Sequence, residues 1–226
     1  MKGLLSSIKI NISTCLYIKD PESSELGQSI ITQSISLINE LGIEDFNFKK
    51  LGKSIKSNES SIYRYFENKY KLLQYLSAMY WGILEYRLVV ETTSIENGSK
   101  KLKKAIEIMT LPPQNINIYS NIDQIKLRHI IITEFTKSYH HKHVDSDNDE
   151  GIFKIYKRLV LRLAEIITEV QSDYKFPKAL AYQITEGALQ QYFMMKHFKS
   201  LTDYTNDSQV SSFFKDMTFN VLNIKQ

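Results

Sequence analysis

A chain of 226 residues, 42% apolar and 24% charged, is long enough to bury a core, and that ordinary composition excludes a disordered chain. No run approaches the roughly eighteen apolar residues that span a membrane, and the single cysteine, Cys15, excludes an internal disulfide framework. The net charge of +4 permits nucleic-acid binding without arguing for it, so any such function must be read from local pattern. A cytoplasmic protein without cofactor or bound metal is expected.

Residues 1–21 read as an N-terminal arm or short strand. Ile8, Ile10, Ile12, Leu16 and Ile18 alternate with polar residues, and Asp20-Pro21 then breaks the chain. Four prolines and eight glycines in the whole chain leave long uninterrupted segments, so the remainder is expected to be all-α. Leu26, Ile30, Ile31, Leu37, Ile38 and Leu41 recur at helical spacing, with Ser23 or Ser24 to cap the start. Gly42 is placed to end that helix in the left-handed conformation.

Two short helices follow. Asn47 caps the first, and Phe48, Leu51, Gly52 and Ile55 form its inner face. After Lys56-Ser57-Asn58 the second runs from about Glu59 to Phe66, with Ile62 and Phe66 as its anchors. Asn68 caps a longer helix whose buried side carries Leu72, Leu73, Leu76, Met79 and Ile83. These segments divide the chain into a helix-turn-helix domain at 22–72 and a larger helical domain at 73–226.

Further helices are expected from Lys100 to Met109, Ile122 to Tyr139, Ile152 to Val170, Pro177 to about Lys199 and Gln209 to Ile224. His140 to Gly151 reads as a solvated loop. Its three histidines and three aspartates fit neither a compact zinc site nor a calcium loop. No glycine-rich phosphate loop, G-x-S-x-G elbow or H-E-x-x-H is present, so no enzyme is expected. Trp81, Tyr80, Met109 and Phe135 are candidates for the wall of a pocket for a small apolar effector.

A long helix followed by two short ones separated by a turn is the geometry in which the last short helix enters the major groove. The run FNFKKLGKSIKSNESSIYRYFENKYKLLQYL resembles the DNA-binding signature of TetR-type regulators. The matching positions are Leu41-Gly42, Phe46, Leu51-Gly52, Ser60 to Tyr63, Tyr65-Phe66, Asn68-Lys69 and Leu72-Leu73. The resemblance implies that Tyr63 and Lys69 contact phosphates and that Ser61 and Tyr65 lie at the DNA surface. Asn58, Glu59 and Arg64 are implied as base or backbone contacts, and Asn47 and Ser60 complete the set.

The chain departs from the family pattern in the turn. Lys56 stands where a glycine is usual, and a non-glycine residue in a left-handed turn costs roughly 1 kcal/mol. Another turn conformation is therefore favoured. The resemblance also implies a homodimer built by the last two helices, with Leu180, Ile184, Ala188, Tyr192, Phe213 and Phe214 as interface candidates. The function expected is a ligand-responsive repressor that binds a double-stranded operator. The alternative is a helical interaction module that keeps the fold without reading DNA.

Overall fold

The computed structural model describes residues 10–113 and 121–224. Among these residues the chain is helical, with no strand. The helices are α1 (Glu25–Asp45), α2 (Phe48–Ser54), α3 (Glu59–Tyr63), α4 (Lys69–Thr92), α5 (Gly98–Thr110), α6 (Gln124–Glu134), α7 (Val144–Asp149), α8 (Lys154–Val170), α9 (Pro177–His197) and α10 (Asp207–Val221). They fall into two compact units. The first joins residues up to Trp81 with Gln114–Ile155, and the second joins Gly82–Pro113 with Tyr156–Gln226.

Start signals in the sequence become real caps. The side chains of Ser24, Asn47, Asn58, Asn97, Asp123 and Asn206 each accept a hydrogen bond from a backbone N–H in the first turn of their helix. The stop at Gly42 differs from expectation. Its φ of 75° and ψ of 163° kink the chain, and helical turns then resume to Asp45. The kink lets Ile43 and Phe46 both turn inward, where neither is exposed to solvent.

In the first unit α1 packs against α6, and α2 against α3. Ile30, Ile35, Ile38, Ile43, Leu51, Ile62, Phe66 and Leu72 form its core. The alternating residues near the N-terminus form no strand between 10 and 21, and Ile8 lies outside the described residues. A period of two needs a pairing edge, and a helical unit offers none. Instead two 3-10 turns, Thr14–Leu16 and Pro21–Ser23, lay an arm on the helices. Ile12 and Leu16 are buried, and Tyr17 meets Tyr75 edge-on at 6.0 Å. The segment read as a loop at 140–151 holds the short helix α7, whose first turn carries Asp145 and Asp147 at the favourable end of the helix dipole.

In the second unit α5, α9 and α10 pack on one another. Gly187 makes this possible, because a Cβ there would lie 3.0 Å from the Phe214 ring. On α4, Glu85 is almost wholly buried yet charged. Burial alone would raise its pKa, but hydrogen bonds from Arg158 and from Arg162 (2.7 Å) on α8 outweigh that and hold the carboxyl below its ordinary range.

Two predictions follow from these contacts. A carboxyl with a depressed folded pKa stabilises the fold fully above its unfolded value of about 4.3. That contribution disappears as pH falls through the folded value. Glu85→Gln should therefore cost about 1–2 kcal/mol at pH 7, because the half-exposed arginines are screened, and the deficit should shrink in acid. Urea titrations at pH 7 and pH 3.5 test this, and an equal deficit at both would show that the Glu85 charge is not its source. Gly27→Ala would place a Cβ 2.1 Å from the Pro21 carbonyl oxygen. It should cost about 1–3 kcal/mol despite alanine's better helix propensity, and should speed hydrogen exchange at the Ile18 amide, which the arm holds against Tyr65.

Candidate nucleic-acid interface

The reading unit is assembled from backbone contacts. Asn58 caps α3. Its Oδ1 accepts from the Ser61 N–H at 2.8 Å and from the hydroxyls of Ser60 and Ser61 at 2.8 and 2.6 Å. The turn between α2 and α3 closes through Ser57 N–H donating to the Gly52 carbonyl at 2.8 Å. Gly52 is required by space, because a Cβ would sit 2.8 Å from the Ser57 oxygen. Lys56 takes φ 54°. The left-handed turn is therefore kept, and the lysine bears the strain that a glycine would avoid.

The outward residues are Ser60, Tyr63 and Arg64. The Tyr63 ring rests edge-on against Phe48 at 4.9 Å, leaving its hydroxyl within 3.5 Å of Glu59. Asn47 is exposed but spends its side-chain oxygen on the Lys50 N–H. Lys49, Lys50, Lys53 and Lys56 are exposed as well. Residues 47–66 thus hold five basic residues against Glu59 alone. The chain-wide balance of +4 does not reveal this concentration, which lies within a twenty-residue window.

Two expected contacts are not where the sequence put them. Tyr65 is only 3% exposed. Its hydroxyl lies 2.8 Å from Ser24 Oγ, its carbonyl accepts from the Ile18 N–H at 2.8 Å, and Lys19 stacks on its ring. It therefore ties α3 to the arm and faces no external surface. Lys69, half-exposed, lays its ammonium on the end of α1. Nζ donates to the carbonyls of Ile43 and Glu44 at 2.8 and 2.9 Å and to that of Phe46 at 3.4 Å. The last carbonyls of a helix lack internal partners and carry the negative end of its dipole, so they outcompete solvent for the charge.

The effector candidates are all buried side chains. Trp81 meets Tyr80 at 4.9 Å and Phe135 at 5.1 Å, all three buried. Met109 is buried in the second unit. The interface candidates Leu180, Ile184, Ala188, Tyr192 and Phe214 are likewise buried within the protomer, with Tyr192 donating to the Thr110 carbonyl at 2.7 Å. Helical spacing names an apolar face but not its partner, and here α9 packs on α5 and α10 within the protomer. Of the six, Phe213 is exposed, as are Tyr182, Phe198, Leu201 and Val221 nearby in sequence. Among the described residues no group of three His, Cys, Asp or Glu side chains is placed to hold a metal ion, and no helix is long and apolar enough to cross a membrane.

Because Lys69 closes α1, its loss should act on stability. Lys69→Met is expected to destabilise the protein by about 1–3 kcal/mol, the range for hydrogen bonds to a charged donor. A melting temperature unchanged from wild type would remove the capping role.

Comparison with known proteins agrees with this geometry. Residues 30–76 match the family described as bacterial regulatory proteins, tetR family. No curated protein sequence matches the chain. Among solved structures, the fold is similar to a tetR-family regulatory protein from Rhodococcus RHA1, with 12% identity, TM-score 0.62, and coverage of 90% of this chain and 100% of that one. It is similar to AibR in complex with isovaleryl coenzyme A and operator DNA, at 15% identity and TM-score 0.56, covering 84% and 96%. It also resembles the fatty acid degradation regulator FadR from Bacillus halodurans, at 20% identity and TM-score 0.54, covering 86% and 93%. Residues 30–76 thus match the tetR family model, and the chain shares its fold with these solved structures.

Proposed function

We propose that this regulator represses transcription as a homodimer that presents two copies of α3 to one operator. The observation that carries the reading is the exposed set of Ser60 and Tyr63 on α3 and Arg64 at its C-terminal cap, flanked by the exposed lysines at 49, 50, 53 and 56. Small and hydroxylated groups let the helix approach the duplex, and the cations supply sequence-independent phosphate attraction. Asn47, Asn58, Glu59 and Ser61 border this surface. Lys69 and Tyr65 support it from behind.

A second copy has a place to dock. Phe198, Leu201, Phe213 and Val221 are large, apolar and exposed on or beside α9 and α10. Dimers also gain the paired half-site geometry that one short helix lacks. The similar structure of AibR contains isovaleryl coenzyme A and operator DNA together. That likeness supports a small-molecule effector for this chain, acting by preferring the state that does not bind DNA. A chain of this kind works in the cytoplasm and needs no catalysis.

The interaction-module reading keeps one supporting observation, which is that two of the expected DNA contacts, Tyr65 and Lys69, are engaged by groups of their own chain. Salt separates the two readings. A dimer using three to five cations per copy should lose about a thousandfold or more in affinity between about 50 and 200 mM salt. Lys53→Ala with Arg64→Ala should weaken binding at least tenfold in a mobility shift on DNA from the protein's own promoter region. A flat salt response, with both proteins binding equally, would favour the interaction module.

A further inference from the structure

A cavity of about 720 Å³ opens in the first unit, next to the reading helices. Its walls come from the end of α1, the first turns of α4, and the segment between Thr136 and Asp147. The size falls within the range of about 300–1,000 Å³ typical of small-molecule sites. Trp81, Tyr80, Phe135 and Met109 do not line it. Its lining residues carry polar or charged groups, Lys71 and Lys137 among them, on walls that also present the side chains' apolar stems.

The chain's own carboxylates show what the donors in this cavity accept. Gln74, buried on α4, donates to Asp147 Oδ2 at 2.7 Å and to the Ser138 carbonyl at 3.1 Å. Lys71 Nζ stands 3.8 Å from Asp147 and 3.9 Å from Glu150, within ion-pair range but beyond a direct hydrogen bond. On the opposite wall Lys137 lies 2.8 Å from Glu134 and 3.4 Å from Glu44. The Glu134 hydrogen bond raises the Lys137 pKa above the ordinary lysine value, so the group stays charged. His141 Nε2 is 3.2 Å from the Ser138 carbonyl and 3.5 Å from Asp147. The exposed His140 and His143 add imidazoles at the mouth. Imidazole nitrogens donate or accept hydrogen bonds, as His141 does with the Ser138 carbonyl.

We propose that this cavity binds a small anion bearing carboxylate or phosphoryl groups, held by Lys71 and Lys137 and hydrogen-bonded by the surrounding imidazoles. The ligand exchanges for the long contacts from Asp147 and Glu150 to Lys71, so it gains a charge-assisted bond where the chain makes none at full strength. The positive end of α4 adds to the attraction. Glu44 sits at the end of α1 that Lys69 closes, so the same wall that meets the ligand also seats the reading helices. An effect on operator affinity rests on the regulator reading, whereas the binding itself does not.

The test is calorimetric titration of the full chain, without DNA, using citrate and inorganic phosphate at constant ionic strength set with chloride. Saturable one-to-one binding of either probe is expected. Stronger citrate binding assigns a carboxylate ligand, and stronger phosphate binding a phosphoryl one. Lys71→Met combined with Lys137→Met should weaken it at least tenfold, while Lys215→Met in the second unit should leave it within twofold. Should the double variant lose its helical circular dichroism, Lys71→Gln alone carries the same criterion. No saturable binding, or a folded variant that binds within twofold of wild type, overturns the proposal, whatever the DNA experiment shows.

Discussion

Three carbonyls at the end of α1 converge on the ammonium of Lys69, the first residue of α4. This contact closes a helix terminus that would otherwise leave its dipole uncompensated. It also fixes the distance between the start of α4 and the end of α1, across the turn and two short helices that lie between them. Those helices have five and seven residues, too few to hold their shape unaided. Their orientation depends on being framed by two long helices locked at a common corner.

The remaining side of the frame is the arm. Its backbone donates to Tyr65, and Ser24 serves both the phenol and the first turn of α1 through the Gly27 N–H. Tyr65 is therefore a hinge pin at the back of α3, while Tyr63, two residues earlier, is held on its front by Phe48. One buried aromatic and one exposed aromatic set which face of a five-residue helix is offered outward. Lys56 holds its left-handed conformation beside the close approach of Gly52 to the Ser57 carbonyl.

Charge is organised locally. The exposed lysines cluster around the turn, whereas the lysines beside α4 and at residue 137 are engaged with carboxylates from their own unit. The former group is suited to a polyanion approaching from outside. The latter is suited to a small anion that replaces an internal carboxylate. In the second unit the buried Glu85 with its two arginines fixes α4 against α8 by the same logic of compensated charge.

The sequence by itself determined the helices, their caps and the reading unit. These depend on interactions within a few residues: Asn58 with Ser61, Asn47 with Lys50, and the three- and four-residue spacing of Ile30, Ile38 and Leu72. The match of residues 30–76 to the family rests on that same local pattern. Where each polar or aromatic group spends its bond was decided only by tertiary structure. Lys69 and Tyr65 carry the right chemistry for phosphate, yet carbonyls 23 to 26 residues away and a serine 41 residues away claim them first. Leu180 and Ile184 form an apolar stripe whether a neighbouring helix or a second copy covers it, and Trp81 has the same ring in a core or in a pocket wall. Periodicity records that a face must be buried. Only the packed chain, in which each surface satisfies its nearest strong partner, records what buries it.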